Sequence, residues 1–188
     1  LGNVAISVAD SATLNLTAAQ ATGKSISAAG DGNITITDAT ATTTYNFGSV
    51  SSSTGTVEVQ FTTGGTLDGS TNLNGADVAI AENKTLTLTA AQADGLTIAG
   101  DDATAGNPGG SIVVTGIDNS NLNLSGLTAG GAGSGGGSVG TVTSAIGGDV
   151  TLNGSTDLGN LALTVAENAT LTLSAAQADG VSITGDDA

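Results

Sequence analysis

The stretch TLTLTAAQADG, Thr85–Gly95, decides how this chain is read. It returns almost unchanged as TLTLSAAQADG at Thr170–Gly180, and more loosely as TLNLTAAQATG at Thr13–Gly23. Its first half alternates polar and apolar residues with period two, the pattern of a strand with leucines inward and threonines outward. The second half opens on Thr or Ser with Gln three residues on: Thr17 and Gln20, Thr89 and Gln92, Ser174 and Gln177. That is capping-box spacing, in which the hydroxyl accepts from the third amide and the Gln side chain reaches back to the cap. Alanines favour the helical turn between them. Gly23, Gly95 and Gly180 then stop it where left-handed backbone is wanted. A short strand follows, so the unit reads strand, single helical turn, glycine stop, strand.

Outward from these copies, Thr66–Ala103 matches Thr151–Ala188 at 24 of 38 positions without a gap. The first two copies of the key stretch lie 72 residues apart and the last two 85. The additional length falls in two glycine-rich places, the Asp101–Pro108 loop and the Gly130–Gly140 run, the latter read as a flexible tip. Insertions confined to loops imply a retained scaffold with variable tips. The expected division is 1–29 as a partial repeat ending a preceding unit, 30–99 as one repeat, and 100–188 as a repeat with two insertions. The chain begins and ends inside copies of the repeat, which reads as a section of a longer array. Between the key stretches, alternation marks strands at Val4–Val8, Asn33–Thr37, Thr42–Phe47, Thr56–Thr62, Val78–Ile80, Ile112–Thr115, Asn121–Leu124, Asp149–Leu152 and Leu161–Val165.

Composition narrows the class. Lys24 and Lys84 are the only basic residues against 17 acidic ones, for a net charge of -15. Nucleic acid is not an expected partner, because phosphate binding needs a basic footprint. The acidic surface repels its own kind and suits a saline or extracellular setting. There is no Cys, Met, Trp or His, so disulfide and thiolate chemistry have no residues to work with. No apolar run reaches the length of a membrane-spanning helix. Three aromatics, Tyr45, Phe47 and Phe61, are too few for a conventional core. The interior must be built from Val, Ile, Leu, Ala and Thr in thin layers.

Strands recur about every ten residues, which fits two all-β architectures. One is a parallel β-solenoid built from tandem repeats with short helical corner turns, each turn stacking like on like. The other is a tandem of Ig-like β-sandwiches, whose cores usually hold aromatics. The scarcity of aromatics favours the solenoid.

TLTLTAAQADGLTIAG and AENATLTLSAAQADGVSITG resemble repeats of very large bacterial surface and secreted proteins of the β-strand-repeat, S-layer-like and adhesin-like class. The resemblance covers nearly the whole chain and its motifs mark scaffold. It implies export, a cell-surface or extracellular location, and a structural or adhesive role. It carries over no catalytic residue. GDGNITIT at Gly30–Thr37 only partly echoes the calcium-binding nonapeptide of neighbouring classes.

Candidate sites are few. Asp101 and Asp102, and Asp186 and Asp187, follow the key unit at the same place, with Asp31 near the equivalent place in the first copy. Hard oxygen ligands in loops suit calcium, although no EF-hand spacing is present and a solvated acidic turn is the ordinary reading. Hydroxyl rows at Thr35 and Thr37, at Thr85, Thr87 and Thr89, and at Thr170 and Thr172 could order water or bind ice; ordinary β-propensity explains them as well. Six N-x-S/T sequons occur, at Asn15, Asn33, Asn83, Asn123, Asn153 and Asn168. Without His, no nucleophile–base pair assembles, and no enzyme is expected. The expected function is a structural extracellular repeat, a building block of a filament, sheath or surface layer that associates with copies of itself by β-strand stacking. The alternative is an adhesin stalk or calcium-dependent carbohydrate-binding module that meets surface glycans through the two inserted loops.

Overall fold

In a computed structural model of the chain, residues 2–104, 107–133 and 137–186 are described. The fold is all-β, and its strands pair in parallel as a solenoid. The sandwich alternative is set aside, since every strand pairing in the ladders is parallel.

The chain winds around three sides. Side one begins with β1 (Ile6–Val8), β3 (Ile26–Ala28) and β5 (Val50–Ser52). Side two stacks β2 (Thr13–Thr17), β4 (Asn33–Thr40), β6 (Val57–Thr63), β8 (Asp77–Ile80), β10 (Ile98–Gly100) and β12 (Leu127–Thr128). Side three stacks β7 (Gly65–Thr66), β9 (Thr85–Thr89), β11 (Ser111–Thr115), β13 (Val142–Ile146), β15 (Ala162–Val165) and β17 (Ile183–Gly185). A last pair, β14 (Val150–Thr151) and β16 (Leu171–Thr172), follows side three in the winding order and so resumes side one. Three single helical turns complete the list: α1 (Ala18–Ala21), α2 (Ala90–Ala93) and α3 (Ala175–Ala178).

Period-two alternation becomes a ladder because parallel partners place like on like. On side two the inward residues run Leu16, Ile36, Val59, Val78, Ile98 and Leu127. All six are buried and belong to one hydrophobic cluster that runs through the whole chain. Each contributes about 1.5–3 kcal/mol relative to exposure, which is what offsets the entropy of ordering so glycine-rich a backbone.

Seven strands and one helical turn make one sequence repeat: β1–β7 correspond to β8–β14, and β8–β10 to β15–β17. The expected divisions at 30–99 and 100–188 correspond to β4–β10 and β11–β17, except that their boundary falls inside β10 and leaves Gly100 in the second. Seven strands carry the chain three full turns and one side further. The key stretch therefore lies on side two in its first copy (β2), side three in its second (β9) and side one in its third (β16). The extra third of a turn is made once per repeat, where one winding uses all three sides: β5–β6–β7, and then β12–β13–β14.

Two expected strands are not strands. Thr42–Phe47 forms a corner, in which only Asn46 bridges, to Asn72. The reason is local: β4 runs on to Thr40 through a register shift beside left-handed Asp38 (φ 58), and the Thr43 amide then closes a turn on the Thr40 carbonyl at 3.3 Å. Asn121–Leu124 likewise makes a single bridge, Asn123 to Asp157. Leu122 and Leu124 point inward as the pattern requires, but the Asn123 side chain accepts from the Ser125 amide and bends the chain.

Of the Gly130–Gly140 run, the expected tip at 134–136 lies outside the described residues, and the neck that leads to it is a stack of backbones. Gly110 donates to the Asp101 carbonyl at 2.9 Å, Gly130 to Gly110 at 2.9 Å, and Gly140 to Gly130 at 2.8 Å. A Cβ on Gly130 would lie 1.9 Å from the Asp101 oxygen, closer than a non-bonded carbon can sit. Gly130→Ala is therefore expected to cost roughly 1–3 kcal/mol in urea unfolding, as overpacking does. Gly147→Ala, whose Cβ would meet nothing within 4 Å, should be nearly neutral.

Candidate functional site

Two features stand out from the scaffold: the ledge formed by the inserted loops, and the helical corner repeated in each copy.

The ledge lies where β10 leaves side two. The described parts of the loops after β10 and after β12 stack on one another, with the Ala103 amide donating to Gly131 at 2.8 Å and the Gly109 amide to Ser138 at 2.9 Å. Carboxylates brace the stack. Asp102 Oδ1 accepts from the Gly131 amide at 2.7 Å. Glu82, in the turn after β8, accepts from the Thr104 amide at 2.9 Å and from the Thr104 hydroxyl. These bonds from Thr104, the hydroxyl foremost and then the amide, hold the Glu82 carboxyl below its usual value. Asp101 is the opposite case. Burial pushes its carboxyl up, and the negative charges of Glu58, Asp102 and Glu82 push it further.

Of the expected calcium residues, the structure brings Asp101 and Asp102 together at the ledge. Asp186 occupies the matching place one repeat later, at the end of β17, and Asp187 lies outside the described residues. Among the described residues no three acidic groups converge on one point as metal ligands would. Asp31 holds the Thr54 hydroxyl at 2.8 Å. The threonine rows do not merge into one face, because the copies lie on different sides. Thr35 is flanked by Asn15 and Glu58, and Thr87 by Thr66 and Val113. Among the sequons, Asn83 and Asn168 are exposed at equivalent left-handed turns (φ 57 and 62), whereas Asn33 is held by the Thr56 amide and hydroxyl.

The helical corner bears out the capping box in all three copies. Gly23, Gly95 and Gly180 adopt φ of 68, 70 and 76, the left-handed stop that alanine would resist. One function of the glutamine was not visible in the spacing. While Gln92 Oε1 accepts from the Thr89 amide at 2.9 Å, its Nε2 donates to the Asp68 carbonyl, one winding below, at 3.0 Å. Gln177 repeats this to Asn153 at 2.6 Å. The side chain joins its own corner to the previous turn, 24 residues earlier in both copies. That constant separation was available in the sequence, but nothing in a single copy points to it. A groove opens beside each of these two corners, lined by Thr71, Leu73 and Gln92 in one and by Thr156, Leu158 and Gln177 in the other. Glu82 and Glu58 were also missed; Glu82 belongs to the AEN triplet that recurs at Ala166–Asn168.

Two outcomes are expected. Gln92→Glu keeps the cap acceptor but sets a carboxylate against the Asp68 carbonyl, and should destabilise by about 1–3 kcal/mol in urea unfolding. Gln20→Glu, where the structure records only the two cap bonds, should cost much less. For Asp101, the folded carboxyl holds its proton more tightly than the unfolded one. Its ionisation therefore subtracts stability as pH rises through the unfolded value toward the raised folded one. Asp101→Asn should remove that loss, so the variant is at least as stable as the parent at pH 7 and its melting temperature falls less between acid and neutral pH.

No family model matches the chain, and no curated protein or solved structure matches it.

Proposed function

We propose that this chain is a structural extracellular repeat, a building block of a cell-surface filament, sheath or surface layer. The observation that carries the reading is continuity. Successive repeats share one hydrophobic cluster and one set of ladders, with no linker between them. Adding repeats to such an object lengthens a rod; it does not string beads. Most of the distinctive chemistry supports that extension: the ladders, the capped corners and the glutamine that ties each corner to the turn below. The acidic surface, at net charge -15, keeps rods apart until their ends or edges meet. Unpaired strand edges are templates for pairing with another chain, so a stack of parallel turns is a form that further copies can continue. Copies of the same chain are the proposed partners. Among the described residues no helix is long and apolar enough to cross a membrane.

One observation favours a second reading, an adhesin stalk or calcium-dependent glycan binder. The two inserted loops, separate in sequence, build a single ledge on one corner. Such a ledge is where a scaffold of this kind would present a binding surface.

Negative-stain electron microscopy of the purified chain at rising concentration separates the two. Fibres of uniform width that form without ligand are expected under the first reading. Monodisperse short rods that bind a glycan array, with binding lost on chelation, would replace it with the second.

A further inference from the structure

The two windings that use all three sides occupy equivalent places but are built unequally. The first, β5–β6–β7, gathers all the aromatic residues of the chain. Tyr45 and Phe47 stack with ring centroids 5.6 Å apart at its entrance, and Phe61 is buried in β6. The Tyr45 hydroxyl also receives the Thr40 amide at 3.2 Å. In the second, β12–β13–β14, the equivalent positions are Leu122, Leu124 and Ile146. The ladder differs too. Val59 in the centre of β6 becomes Ser144 in the centre of β13, between Val114 below and Leu163 above. Ser144 is 3 % exposed, and among the described residues its hydroxyl has no hydrogen-bond partner. A buried hydroxyl without a partner forfeits its hydration for nothing. The flanking strands of this winding, β12 and β14, are two residues each.

We infer that the winding centred on β13 is a built-in opening point of the solenoid. There the turns from β13 upward separate as one unit from the aromatic-packed turns below. A ladder transmits stability only through matched neighbours, so a polar break in the inward column uncouples what lies on either side. Opening at this point unpairs β13 from β11 and leaves an apolar edge on each part, Ile112 and Val114 below and Val142 and Ile146 above. The inference concerns the chain alone and stands whether or not the rod assembles further.

Hydrogen exchange of the full chain, followed by mass spectrometry, tests it. Peptides covering β13, β15 and β17 are expected to exchange at one common rate, well above that of β4, β6 and β8. Ser144→Ala removes the hydroxyl without adding volume and should slow all three together by roughly tenfold, the scale of one unsatisfied group. Val59→Ser moves the same defect into β6 and should speed exchange of β6 in turn. Protection that instead falls stepwise from β13 to β17 and is untouched by Ser144→Ala would mark simple fraying from the end and overturn the inference. So would a Val59→Ser chain whose β6 exchange is unchanged.

Discussion

An inward apolar residue in this fold must have an apolar residue directly above and below it. Everything else follows from that constraint. A parallel ladder makes backbone bonds between turns and not within them, so no turn is satisfied alone. The column Leu16, Ile36, Val59, Val78, Ile98 and Leu127 shows the rule kept without exception over six turns. The column through Leu88, Val114, Ser144, Leu163 and Ile183 shows it broken once. The cost of breaking it is local because each turn touches only its neighbours.

The corners obey the same rule with different chemistry. Where the chain must bend, ladder bonds lapse and side chains take over the link between turns. Gln92 and Gln177 do so from the helical corners. Asp94 does so with its carboxylate, which accepts from the Asn123 backbone amide of the turn above at 2.8 Å. The inserted loops use backbone instead, and for this reason Gly110, Gly130 and Gly140 have no room for a side chain.

Much of this could be read from the residues. Leucine–threonine alternation located the strands of the key unit, the Thr/Ser-to-Gln spacing located its helical turn, and the lack of aromatics pointed to a narrow core. The misses have physical causes. Thr42–Phe47 looks extended because threonine favours strands, yet three consecutive threonines carry no inward residue and the segment turns. Asn121–Leu124 alternates correctly, but asparagine bonded to its own backbone competes with the ladder. The glycine run at 130–140 reads as flexible because glycine is entropically free, and the reading does not show that close backbone packing demands glycine at Gly130 and Gly140. At the ledge, Asp101 and Asp102 were found by their recurrence. Glu58 and Glu82 were not, since only the winding brings them near. The side on which each repeat falls was hidden altogether, because an alignment gives the separation of two copies in residues and not the angle between them.

That angle changes what duplication does to such a protein. With strands about 4.8 Å apart, each repeat advances the rod by roughly 16 Å while turning it by one side, and three repeats restore the starting orientation after about 48 Å. A loop enlarged in one copy and its descendant in the next copy therefore face different directions. Copying a single gene segment is enough to distribute a feature around the circumference, and losing one segment re-aims every feature beyond the deletion while leaving each ladder intact.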